Sequence, residues 1–173
     1  MEKGLVHVYT GEGKGKTSSA CGLVCRAVGH VLRVCWVYFH KEPEKFEYGE
    51  LKTLEKLGVE IYGFAKKHPH FFKDININDV RRECLDGLSF IKKIWERYDL
   101  LIMDEILISI KDKFLKEEEV LDMINSKPEA LELVLTGRGA TQRLIEVAGY
   151  VSEIKEIKHP YRQGIQGRKG VEY

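Results

Sequence analysis

Short apolar runs alternate along this chain with longer stretches in which apolar residues return every three or four positions. Leu5-Val6-His7-Val8-Tyr9 reads as a first strand and Val31 to Phe39 as a second. Val59 to Tyr62 reads as a short third, Leu100 to Met103 as a fourth, Leu131 to Leu135 as a fifth and Val151 to Ile157 as a last. The fourth run is apolar without interruption, as a strand covered on both faces requires. Between the runs lie helical patterns. The first, from about Gly15 to Val28, keeps Ala20, Leu23, Val24, Ala27 and Val28 on one face, and Gly29 can end it. Tyr48 to Leu57 follows, closed by Gly58. Asn78 to Tyr98 carries a buried stripe of Val80, Cys84, Leu88, Ile91 and Trp95. Lys116 to Asn125 opens with acidic residues, which suit a helix N-terminus, and Gln142 to Ala148 is a short last helix. This alternation predicts a three-layer α/β protein: a mostly parallel central sheet with helices on both faces. At 173 residues, one nucleotide-binding domain spanning 1–173 accounts for the whole pattern.

Two segments escape the alternation. Residues 63–77 hold Lys66, Lys67, His68, Pro69 and His70 beside Phe64, Phe71 and Phe72. A long aromatic loop in a compact domain is usually functional or mobile. His68 and His70 read first as solvent-facing. The tail from Lys158 to Tyr173 has no period.

The candidate chemistry starts where the first strand gives way to the first helix. Thr10-Gly11-Glu12-Gly13-Lys14-Gly15-Lys16-Thr17-Ser18 has the context of a phosphate-binding loop. Glycines let the backbone turn its N–H groups inward around an anion, and the helix that follows adds the positive end of its dipole. Lys16 would reach the outer phosphates and the Thr17 hydroxyl would hold Mg²⁺. The position five before Gly15, usually glycine, is Thr10.

Asp104 and Glu105 close the fourth strand. An acid there is the usual partner of a phosphate loop, because ligands of parallel sheets bind beyond the carboxyl ends of the strands. Thr17, Asp104 and Glu105 form the expected metal set, with Glu105 either a direct ligand or the orienter of a water. Arg138, between Gly137 and Gly139, could pair with phosphate or carboxylate. Arg26 either faces the phosphates or forms a surface ion pair.

Composition narrows the partners. A net charge of +1 offers no case for nucleic acid, and no apolar run approaches a membrane span of about 20 residues. Met1-Glu2-Lys3 leads straight into the first strand, with no secretory pattern. Cys21, Cys25, Cys35 and Cys84 contain no C-x-x-C pair and read as small buried hydrophobes of a reducing, cytoplasmic compartment. No N-K-x-D motif supports a GTPase. A small-molecule kinase or ATPase on the same platform stays open, as does a nucleotide-dependent binding module without catalysis.

Several linked segments resemble the P-loop corrinoid adenosyltransferases. They include the phosphate loop, Arg26-Ala27-Val28-Gly29-His30, Phe39-His40-Lys41, Gly49-Glu50, Leu57-Gly58-Val59-Glu60, Gly63-Phe64 and Tyr98 through Glu105. Leu135-Thr136-Gly137-Arg138-Gly139-Ala140, Val151-Ser152-Glu153, Lys158-His159-Pro160 and Gly170-Val171-Glu172-Tyr173 complete the set. The resemblance implies a RecA-like domain, a homodimer, ATP with Mg²⁺, and a corrinoid reduced to Co(I), supplied by a reduced flavoprotein. Cobalt would attack C5′ of the ribose and expel triphosphate. It also implies nucleotide contacts by Gly11, Glu12, Gly13, Lys14, Gly15, Lys16, Thr17, Ser18, Arg26 and Arg138. Lys16, Thr17 and Glu105 would carry the catalytic charge stabilisation, and Phe64 would contact the corrinoid. The chain departs from the family in four places. Few residues precede the first strand, Ala65 and Lys66 stand where threonine and tryptophan are usual, Leu107 stands where a polar residue is frequent, and Gln166-Gly167-Arg168 alters the tail. Phe71 or Phe72 could replace the aromatic lost at Lys66.

Overall fold

The computed structural model describes residues 2–69, 72 and 74–172. Met1, His70, Phe71 and Tyr173, named above, lie outside them. Six strands form one sheet: β1 (Val6–Thr10), β2 (Val34–Phe39), β3 (Glu60–Phe64), β4 (Leu100–Asp104), β5 (Glu132–Thr136) and β6 (Tyr150–Glu153). Their order is β3-β2-β4-β5-β1-β6, and every pairing is parallel. The helices are α1 (Lys16–Gly29), α2 (Gly49–Lys56), α3 (Ile77–Ile94), α4 (Ile106–Lys111), α5 (Glu117–Asn125) and α6 (Gln142–Val147). Short 3₁₀ turns cover Trp95–Arg97 and Pro160–Gln163.

Side-chain alternation on the central strands builds two cores. Val34, Trp36 and Tyr38 of β2, with Leu100 and Ile102 of β4, meet Ala20, Val24 and Ala27 of α1 and Leu51 and Leu54 of α2. The intervening residues Cys35, Val37, Phe39, Leu101 and Met103 point the other way, toward Val80, Cys84, Leu88 and Ile91 of α3 and Val120, Leu121 and Ile124 of α5. β2 is buried along its whole length, which explains its dense run of β-branched and aromatic residues. α3 starts where the Asn76 side chain accepts the Asn78 N–H at 3.0 Å.

The structure departs from the sequence expectations locally. The second strand starts at Val34, because Val31 takes a left-handed backbone (φ 61°) and is 89% exposed. The last strand stops at Glu153, opposite Thr10, where its partner β1 turns into the glycine loop. Helix α4 was not expected at all. Cys25 is exposed and Cys21 half-buried at a cleft, so only Cys35 and Cys84 are the interior hydrophobes expected of all four.

Candidate active site

The carboxyl ends of β1, β2, β4 and β5 open on one side of the sheet, and a cleft of about 590 Å³ lies there. Its floor is the turn between β1 and α1. Gly11 and Gly15 hold φ of 102° and 127°, which side-chain-bearing residues rarely adopt. A Cβ on Gly11 would lie 2.4 Å from the Ile154 carbonyl oxygen, and one on Gly13 would lie 2.7 Å from that of Lys155. The loop glycines thus also make room for the chain leaving β6. The Gly13 N–H donates to Ile154 at 2.8 Å. Thr10, the departure from the usual glycine, is buried and useful: its hydroxyl accepts the Ala140 N–H at 3.2 Å, tying the loop to the segment after β5.

Glu12, Gly13, Lys14, Gly15, Lys16, Thr17 and Ser18 all line the cleft. Lys16 folds back on the loop, its Nζ donating to the carbonyls of Gly11 and Gly13 at 2.7 Å each. Burial pulls its ammonium below the usual lysine range, an effect the nearby Glu105 charge opposes.

Across the sheet, Asp104 is wholly buried. Its Oδ1 accepts from the Thr17 hydroxyl at 3.1 Å and from the Thr136 hydroxyl at 2.7 Å. Its Oδ2 lies 2.6 Å from Nζ of Lys41. Thr136, at the end of the intervening strand β5, also accepts the Glu105 N–H at 3.0 Å. Glu105 itself holds a left-handed backbone (φ 63°, ψ 15°), a single residue between β4 and α4. That turn carries its side chain into the cleft wall while Asp104 stays behind it. Burial and the Asp104 charge push the Glu105 carboxyl up, and Lys41, Lys16 and Arg138 pull it back. The Thr17 hydroxyl and the Glu105 carboxylate are hard oxygen donors facing one space, the chemistry Mg²⁺ takes together with phosphate oxygens.

Arg138 lines the cleft and pairs with Glu12, Nη1 to Oε2 at 3.0 Å. Lys111 approaches the other Glu12 oxygen at 3.7 Å. The tail closes the far side: His159, Gly170, Val171 and Glu172 line the cleft, and Lys169 pairs with Glu47 at 2.5 Å.

Of the expected contacts, Gly11 and Asp104 do not line the cleft, and Arg26 and Phe64 are not brought to it. Arg26 is exposed in the last turn of α1, ten residues along the helix from Lys16, and its charge is felt by Tyr9. Phe64 packs between Phe39 (ring centres 6.2 Å apart) and Phe90 (5.4 Å).

The sequence reading gave Lys41 no role, yet it is 8% exposed, lines the cleft and contacts Asp104, Glu50 (3.4 Å) and the Tyr48 ring (5.1 Å). Burial opposes its charge, but Asp104 and Glu50 outweigh that and hold its pKa above the usual lysine range. The signal available was its place just past a fully apolar strand.

Beside the cleft, sharing Tyr48 with it, is a second cavity of about 210 Å³, lined by His40, Glu42, Phe46, Lys66, His68 and Phe72. Lys66 reaches Glu44 at 3.3 Å at its rim. His68 is not turned to solvent as expected: its Nε2 hydrogen-bonds Asp112 at 2.9 Å, and its ring meets His40 edge-on at 5.1 Å.

A family described as ATP:corrinoid adenosyltransferase BtuR/CobO/CobP matches residues 2–173 of the chain. The corrinoid adenosyltransferase of Escherichia coli K12 is 32% identical over 99% of this chain and 87% of its own length. The corrinoid adenosyltransferase CobA of Salmonella typhimurium is 31% identical, with the same coverage. That of Pseudomonas aeruginosa is 33% identical over 99% of this chain and 85% of its own. Among solved structures, the KaiC-like protein PH0186 of Pyrococcus horikoshii superposes with a TM-score of 0.56 at 16% identity, covering 88% of this chain and 73% of that one, which is a likeness of fold.

Proposed function

The chain belongs to the ATP:corrinoid adenosyltransferase family, and on that premise we propose how its own residues transfer the 5′-deoxyadenosyl group of ATP to a corrinoid. The observation that carries the reading is the meeting of two cavities at Tyr48, one built for phosphates and one aromatic. The triphosphate lies in the turn between β1 and α1, against the loop N–H groups and the N-terminus of α1. Lys16 leaves the Gly11 and Gly13 carbonyls and moves onto the phosphate oxygens. Arg138 adds a charge from the end of β5. The corrinoid docks on the aromatic side, with Phe72 and Tyr48 taking the apolar contacts.

The step itself is a displacement at C5′. The Co(I) electron pair forms the cobalt–carbon bond, the C5′–oxygen bond breaks, and triphosphate departs with the electrons of that bond. The leaving group gains charge as the bond breaks, so fixed N–H donors and Lys16 stabilise the transition state more than bound ATP. Mg²⁺ held by Thr17 and Glu105 would supply further positive charge on the same oxygens. No protein nucleophile is required, since the corrinoid carries the reactive centre. The residues align C5′ with cobalt and keep water out.

The reading extends to a cytoplasmic homodimer served by a reduced flavoprotein. Membership of the family supports these points, and among the described residues no helix is long and apolar enough to cross a membrane. The test is anaerobic: protein, MgATP and chemically reduced corrinoid are mixed and the visible spectrum followed. An adenosyl-corrinoid spectrum with equimolar triphosphate is expected. Release of ADP instead would assign the cleft to phosphoryl transfer.

A further inference from the structure

We propose that Lys41 is a positioning residue, a built-in cation that occupies the Asp104 carboxylate and leaves Glu105 as the carboxylate that meets the divalent ion. This rests on the cleft being the MgATP site. Two acids stand side by side at the end of β4, and only one of them lines the cleft. Asp104 is the buried one. A carboxylate offers about four lone-pair directions. Thr17 and Thr136 take two on Oδ1, and the Lys41 ammonium stands against Oδ2 as an ion pair at 2.6 Å. That ammonium stands between Asp104 and the open space, because Lys41 lines the cleft and Asp104 does not.

The electrostatics give the arrangement a purpose. Asp104, Glu105 and Glu50 bring three carboxylates to the edge of a site for a polyanion. Lys41 contacts two of them, Asp104 directly and Glu50 at 3.4 Å. It cancels charge that would repel phosphate without drawing a second metal ion into the wall. Its mobility is low: the stem is buried and the ammonium lies over the Tyr48 ring. With Asp104 thus neutralised, its remaining task is to hold the Thr17 hydroxyl in place.

The experiment is a Mn²⁺ titration followed by electron paramagnetic resonance, at pH 8, on protein free of nucleotide and corrinoid. Wild type, Lys41→Met, Lys41→Arg and the double variant Lys41→Met/Asp104→Asn are compared. Removing the ammonium exposes a buried, uncompensated carboxylate to the cleft, so Lys41→Met is expected to bind Mn²⁺ at least tenfold tighter than wild type. Lys41→Arg should behave as wild type, and the double variant should lose the gain. Unchanged Mn²⁺ affinity in Lys41→Met, or a gain that persists without Asp104, overturns the proposal. Should Lys41→Met fail to fold, thermal unfolding decides. Removing both charges is expected to restore the melting temperature, and a double variant no more stable than the single one overturns the proposal equally. Uptake of MnATP by wild type is measured alongside. Its failure would strike the reading of the cleft, while the nucleotide-free titration still reports on Lys41.

Discussion

The Thr17 hydroxyl donates to Oδ1 of Asp104 at 3.1 Å across 87 positions of sequence. This bond joins the start of α1 to the end of β4 and sets the direction of the remaining Thr17 lone pairs. Thr17→Val keeps the shape and removes the oxygen. Adenosyl transfer is expected to fall by about 10²-fold or more, a loss of roughly 2.7 kcal/mol in the transition state. The melting temperature should change little, because Asp104 retains Thr136 and Lys41. A large loss of stability with normal activity per folded molecule would contradict the assignment.

Lys16→Ala removes the charge expected on the outer phosphates. Turnover should drop at least 10²-fold, by analogy with the loss of one preorganised donor. ATP affinity, measured by calorimetry, should weaken as well. Activity equal to wild type would rule out the phosphate contact.

The tail contributes Gly170, Val171 and Glu172 to the cleft. Truncation after Gln163 should raise KM for ATP by about tenfold, on the order of 1.4 kcal/mol of binding, while thermal stability holds. An unchanged KM would mean that the tail only rests on the surface.

His40 gives a pH prediction. Its ring is largely buried, hydrogen-bonds Ser109 at 2.8 Å and faces His68, and burial brings its pKa down from 6.5 to about 3. The folded value lies below the unfolded one, so between them the unfolded chain binds more protons. The stability His40 contributes is therefore complete above pH 6.5 and is lost as pH falls toward 3, at up to about 1.4 kcal/mol per unit. Urea unfolding of His40→Gln from pH 4.5 to 7.5 should show a shallower acid limb than wild type. Parallel curves would place the acid sensitivity elsewhere.

Gly87 on α3 tests the packing that takes Phe64 away from the cleft. A Cβ there would lie 2.7 Å from Cε1 of Phe39 and 3.0 Å from Cγ of Phe64. Gly87→Ala should lose about 1–3 kcal/mol, the usual range for overpacking, measured by urea unfolding. Neutral substitution would indicate that Phe64 moves aside easily.

The phosphate loop was legible because its chemistry is local: glycines, lysine and hydroxyl sit together between a strand and a helix. Asp104 and Glu105 were legible for a similar reason, an apolar strand ending in acid. What separates their roles was not, since the left-handed turn at Glu105 and the hydroxyl of Thr136 arise from tertiary structure. Arg26 read as ambiguous, and the helix geometry carries it about 15 Å along the axis from Lys16. Phe64 was assigned to the corrinoid by likeness of motif, whereas its partner Phe90 lies on a helix 26 positions later. Helix α4 escaped notice because Ile106-Leu107-Ile108-Ser109-Ile110 is short and nearly uniformly apolar, so no period distinguishes helix from strand. Cys21 and Cys25 share the spacing of one helical face, yet α1 runs along the cleft rim, and that face is only partly covered.

β5 stands between β1 and β4, and its Thr136 donates to the same Asp104 oxygen that Thr17 reaches from the start of α1. β4 and β5 follow one another along the chain, but β1 precedes both by two other strands, so the cleft forms only when distant segments have come together. Protection by ATP against proteolysis should therefore report the joining of β1, β4 and β5 rather than of neighbouring segments alone.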